Sequence, residues 1–185
     1  MDVKRIIASM ALLTATLLVS PAISHAATPQ AEPAAAQAEK KVKSPSAVVL
    51  ENWNEIGNKI VAMAEDWPEE KYSYRPNDTV RTFAQVLLHI AGNNYDLVNH
   101  ITGKKMGRAD NDPSTDTFKT KAQIVEYLKK SFTDGADVIQ AGGDAGTLKE
   151  LGNWVGYIEH SGEHYGQLVV YYRNNKVTPP DSRKK

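Results

Sequence analysis

From Ser46 to Asn175 the apolar residues recur every three or four positions, and no segment alternates apolar with polar at a period of two. A chain patterned this way buries its apolar surface as helices. The first stretch, SAVVLENWNEIGNKIVAMAEDWP, carries Val49, Trp53, Ile56, Ile60 and Met63 at helical spacing and stops at Pro68. A turn-rich connector follows, with Thr79 as the expected N-cap of the next helix. That second helix, VRTFAQVLLHIAGNNYDLVNHIT, ends at Gly103, and the polar residues 104–117 form a loop. A third helix lies in KTKAQIVEYLKKSFTDGADVIQA, with Ile124, Leu128 and Phe132 as its spine, and GGDAG breaks it. The fourth runs from about Leu148 to Asn175, and Pro179-Pro180 closes the domain. Four helices of this length predict an all-α fold, a four-helix bundle over residues 46–180.

The residues before the bundle read differently. Lys4 and Arg5, the apolar run IIASMALLTATLLVS, and Ser24 and Ala26 before a cleavage point predict a secretory signal peptide over residues 1–26. Residues 27–45 are rich in Ala, Pro, Glu and Lys and read as a disordered linker. Residues 181–185 read as a basic tail. The expectation is a protein secreted across the inner membrane, periplasmic or extracellular, with no membrane anchor after processing. The 22 basic and 22 acidic residues cancel, which speaks against a nucleic-acid partner, since phosphate binding needs a concentrated basic surface. The chain has no cysteine, so a transition-metal site must be built from histidine, carboxylate or water.

EHSGEHYGQL, residues 159–168, places His160 and His164 four apart. On a helix they point the same way, one turn apart, a spacing at which two imidazoles can share a metal ion. Leu151, Trp154, Val155, Ile158, Tyr165, Val169 and Tyr172 define the apolar stripe of the fourth helix. By helical arithmetic the two histidines fall roughly opposite it, with Asn153, Tyr157, Gln167 and Tyr171. A solvated face normally carries charge, and this one is neutral and polar, like a pocket lining. Helix two repeats the pattern, with His89 on the far side from its core stripe, beside Gln85, Asn93, Asp96 and His100. An ordinary polar helix face would show the same residues, so this pattern leaves a metal site and a plain polar surface both open. HSGEH matches a peptidase pattern whose further downstream glutamate is missing here, so Glu163 is not read as the base of a zinc peptidase; it is either surface charge, the favoured reading, or a partner behind the histidines. His100 lies too far along its helix to share an ion with His89.

The order and spacing of TFAQVLLHIAGNNY, HSGEHYGQLVVYYRNNKVTPP and PEEKYSYRPND resemble the DinB-like (DNA-damage-inducible) superfamily. The resemblance rests on His160, His164, Gly166-Gln167, Arg173 and Pro179-Pro180, and on His89 in its Leu-Leu-His-Ile setting. It implies an up-up-down-down bundle with a long crossover. It also implies a divalent metal ion, zinc or nickel, on His89, His160 and His164. Family members include metal-dependent thiol transferases and isomerases, but an exported chain has no cytosolic thiol to draw on.

Two functional readings stay open. One is a metal-dependent hydrolase or transferase acting on a small-molecule substrate, with Asn93, Tyr157 and Gln167 orienting substrate or imidazoles. The other is a non-catalytic metal or small-molecule binding module of the cell envelope, for which a homodimer is also compatible. Gly152, Gly156, Gly162 and Gly166 on helix four predict either tight packing against a neighbour or room for a ligand.

Overall fold

The computed structural model describes residues 42–104 and 113–184. The signal peptide and nearly all of the linker expected from the sequence lie outside these residues. Four helices carry the fold: α1 (Pro45–Asp66), α2 (Phe83–Thr102), α3 (Lys121–Lys149) and α4 (Leu151–Asn174). Short 3-10 turns cover Glu69–Lys71 and Pro180–Ser182. There is no strand among the described residues, and none of their helices is long and apolar enough to cross a membrane.

The helix starts follow from local chemistry. Thr82 and Thr120 each accept a hydrogen bond from the backbone N–H three residues on, and Gln85 and Gln123 reach back to the cap. These reciprocal capping boxes satisfy two otherwise orphaned N–H groups at each start. Thr79, expected at the start of α2, instead donates its hydroxyl to Asn77 Oδ1 at 2.6 Å within the connector. It has no glutamine three residues on, whereas Thr82 has. At α1, Ser44 caps a helix that begins at Pro45, so the end of the expected linker is already folded.

Helix directions follow from the pairs that meet. Trp53 Nε1 donates to the Phe132 carbonyl at 2.8 Å and Lys121 Nζ to that of Glu65 at 2.6 Å, so α1 and α3 are antiparallel. Trp53 stacks edge-on to Trp154, and Tyr172 donates to the Met63 carbonyl at 2.8 Å, so α1 and α4 are parallel. Asn94 meets Ser131, and further along Ile101 and Val138 line one cavity, so α2 and α3 are parallel. Asp96 meets Tyr157 and the Arg81 carbonyl meets Tyr171, so α2 and α4 are antiparallel. The order is therefore up-down-down-up, which corrects the expected up-up-down-down. The connector after α1 is pinned at one end of the bundle, which excludes the latter. Tyr72 donates to the Ala64 carbonyl and Trp67 stacks on Phe83, so α2 starts at the end where α1 stops. The long crossover is the chain between Thr102 and Lys121, as two parallel neighbours require.

Gly135 lets α1 and α3 approach: a Cβ there would lie 2.3 Å from the Trp53 ring. GGDAG interrupts α3, as expected: at Gly143 the backbone leaves helical geometry (φ 55°, ψ −161°). Asp144 Oδ1 accepts from the backbone N–H (3.0 Å) and the hydroxyl (2.5 Å) of Ser46. A second helical stretch follows the kink and runs to Lys149, and α4 starts at Leu151 rather than Leu148. The expected basic tail also folds back, since Arg183 grips the Asp66 carboxylate with two N–H donors at 2.8 and 2.5 Å.

Candidate metal centre

α4 packs against both α1 and α2. Its buried residues are Trp154, Ser161, Leu168, Tyr171 and Tyr172, whereas Leu151 and Val155 of the expected core stripe are exposed. The histidines therefore flank the core instead of opposing it. A helix wedged between two others buries more than one narrow stripe, and here the polar flank is turned onto α2.

That flank meets His89. The Nε2 atoms of His160 and His89 lie 3.2 Å apart, and those of His164 and His160 lie 3.1 Å apart. The rings stand edge-on to one another, with interplanar angles of 63°, 86° and 81°. All three are half-buried, and one donor nitrogen from each falls within 4.8 Å of the others. Imidazole nitrogens sharing one ion at about 2.0–2.1 Å sit roughly 3.0–3.4 Å from each other for angles from square to tetrahedral. The two Nε2 separations fit. Both are also N–H···N hydrogen-bond distances, so the tautomers decide which nitrogens are free for an ion.

The protein fixes one of these tautomers. The Arg81 carbonyl can only accept, so Tyr171 donates to it, at 2.5 Å. The Tyr171 oxygen then accepts from Gln167 Nε2 at 3.0 Å. This turns Gln167 Oε1 onto His164, whose Nδ1–H donates to it at 2.8 Å. His164 Nε2 is thereby left bare, the tautomer a metal ligand needs. Gln167 thus orients an imidazole, one of the two roles the sequence allowed it. Tyr171 and the Arg81 carbonyl, which complete the relay, were not read as site residues. The i, i+3 and i+7 spacing of His164, Gln167 and Tyr171 on one helix face carried that signal.

His160 is held by its surroundings. Its Nδ1 is buried without a hydrogen-bond partner. Burial first, then the charges of His164, His89 and Arg81, lower its pKa from 6.5 to about 4, so it stays neutral in ordinary solution. On α2, Asn93 donates its amide to the His89 carbonyl at 2.8 Å and lies 3.3 Å from the His89 ring. Tyr157 is not on the triad. Its hydroxyl donates to Asp96 Oδ2 at 2.8 Å, and its pKa rises to about 12, through burial first and then Asp96. The sequence puts Asp96 on the same stripe as His89 and assigns it no role. Glu163 is exposed, as expected of surface charge, and His100 lies 3.9 Å from Glu150, away from the triad.

A model of the DinB superfamily matches residues 53–168. The chain belongs to the DinB superfamily. The matched span holds His89, His160 and His164, and ends before Tyr171, so the far end of the relay lies beyond it. No curated protein and no solved structure matches the chain significantly.

The DinB-superfamily bundle has a larger hollow elsewhere, about 800 Å³ along α1 and α3, lined by residues such as Glu65, Val125, Lys129 and Asp134. Two ion pairs cross it, Lys129 with Glu65 and Lys130 with Asp134, and among the described residues no set of metal-binding side chains converges there. The chemistry sits in a smaller cleft of about 210 Å³, lined by Asn93, Gly152, Asn153, Gly156, Tyr157 and His160.

Proposed function

We propose that this DinB-superfamily protein is an exported metal-dependent enzyme, a hydrolase or a transferase, whose divalent ion sits on His89, His160 and His164. The observation that carries the reading is the closeness of the imidazole nitrogens, together with the relay that leaves His164 Nε2 bare. An all-imidazole donor set suits zinc or nickel. An ion held there supplies a Lewis acid. The chain's own part is to hold the imidazoles. Gln167 and Tyr171 lock His164, Asn93 sits against His89, and burial keeps His160 unprotonated. The open cleft beside His160 is where a small substrate would lie. Export is supported by the basic start, the apolar run and the small residues Ser24 and Ala26.

The test is a titration of the untagged chain from residue 27 with zinc and nickel, repeated on His89→Ala and His164→Ala. Stoichiometric binding lost in both variants supports the reading, and binding that survives either loss removes it. A second reading, a non-catalytic metal-binding module, is favoured by one observation. Among the described residues no carboxylate joins the three imidazoles as a ready acid or base. Turnover of a thiol, amide or ester by the metal-loaded protein, abolished in His164→Ala, decides for the enzyme.

A further inference from the structure

The cleft beside the triad has a definite hydrogen-bonding character. The Asp96 carboxylate can only accept, so Tyr157 spends its one proton on it and presents an oxygen with free lone pairs. The His89 carbonyl can only accept, so Asn93 turns its NH2 group there and keeps its amide oxygen for the other side. Asn153 likewise donates its NH2 group to Glu150 Oε2 at 2.9 Å. Three of the polar residues lining the cleft thus spend donors on the protein and keep oxygen acceptors. Two carboxylates stand directly behind them. Glu150 has Lys149 and His100 within 3.7 and 3.9 Å. Among the described residues no cation pairs with Asp96, so its charge is left for whatever enters. Gly152 and Gly156 complete the lining, and a Cβ on either would meet nothing within 4 Å, which leaves the cleft wide.

We propose that this cleft recognises a primary ammonium group on a small ligand whose other end reaches the metal. An ammonium carries three donors and a positive charge, which match the acceptors and Asp96. Along α4, Tyr157 lies about 4.5 Å and Asn153 about 10 Å from His160, at roughly 1.5 Å per residue. The substrate class is therefore a short aliphatic amine with a metal-coordinating group one to two helical turns from the nitrogen. This inference rests on the metal reading above.

Two probes separate the two ideas: hexanohydroxamate and 6-aminohexanohydroxamate, each titrated by calorimetry into the zinc-loaded protein. Both carry the same metal-coordinating head, and only the second carries an ammonium. The expected result is at least tenfold tighter binding of the amino probe, with the difference abolished in Asp96→Asn that retains its zinc. Equal binding of the two probes overturns the inference and leaves the metal reading standing. So does a preference that persists in Asp96→Asn. Failure of the protein to hold zinc at all removes the metal reading, and the inference falls with it.

Discussion

The two halves of α4 are built in opposite ways. The C-terminal half is fastened to its neighbours. Leu168, Tyr171 and Tyr172 are buried, Tyr172 packs on Trp67 with ring centroids 4.5 Å apart, and both tyrosine hydroxyls end on backbone carbonyls of other segments. The N-terminal half has Trp154 as its one fully buried aromatic, and elsewhere shows glycines and an open cleft. The histidines stand at the join. His164 belongs to the fastened half, through Gln167 and Tyr171, whereas His160 borders the cleft and has an unpartnered Nδ1. The difference teaches how a bundle holds a site that must be both rigid and reachable. One histidine is anchored to the core and the next is left beside the entrance.

The largest test breaks the fastened half. Tyr172 is fully buried and its hydroxyl is satisfied, so Tyr172→Ala removes a large aromatic side chain and leaves a cavity. Urea denaturation should show a loss of about 3–5 kcal/mol. A loss below ~1 kcal/mol would mean that this half is no better packed than the other.

Next comes acid. The folded pKa of His160 lies near 4 and its unfolded value near 6.5, so between these values the unfolded chain binds the extra proton. Stability of the metal-free protein from this group is complete above about pH 6.5 and is lost as pH falls toward 4. Urea midpoints measured from pH 7 to pH 4.5 should fall less steeply in His160→Gln than in the parent. Identical slopes would show that the cleft side of the site is not desolvated.

A third test works on the join. Gln167→Leu removes the acceptor that fixes the His164 tautomer while keeping much of the bulk. Metal affinity should drop roughly 10- to 100-fold, the usual cost of losing an outer partner of a metal ligand. Tyr171→Phe should weaken binding less, because Gln167 remains. An unchanged affinity in Gln167→Leu would separate the two halves of α4 functionally and leave the relay a matter of packing.

Much of this was legible in the sequence, for reasons that can be named. Helix count followed from apolar spacing, and the Thr-x-x-Gln segments at 82–85 and 120–123 mark two true starts. The histidine set was legible because His160 and His164 share a face and His89 sits on a second neutral stripe. Helix direction was not, because it depends on how Tyr72 and Trp67 pin the connector, which no periodicity reports. The exposed side of α4 is not legible in the sequence, because Leu151 and Val155 are apolar and yet face solvent. The Tyr157–Asp96 bond joins residues 61 apart, and neither residue type betrays the other.

The smallest expected effect sharpens the comparison most cleanly. Glycine in a helix interior costs about 0.5–1 kcal/mol against alanine. Four of them on α4 suggested either a tight neighbour or room for a ligand. At Gly152, Gly156, Gly162 and Gly166 an added Cβ would meet nothing of the described residues within 4 Å, so tight packing among them is not the reason. Gly152 and Gly156 line the cleft, so the second explanation holds for them. Gly156→Ala should therefore raise stability by up to about 1 kcal/mol with metal affinity unchanged. Gly156→Leu should keep the fold and the metal while closing the cleft, and weaken binding of the amino probe. If Gly156→Ala lowers the urea midpoint instead, something covers this face of α4 in solution. The N-terminal half would then be an interface, and the contrast between the two halves would be one of partner rather than of packing.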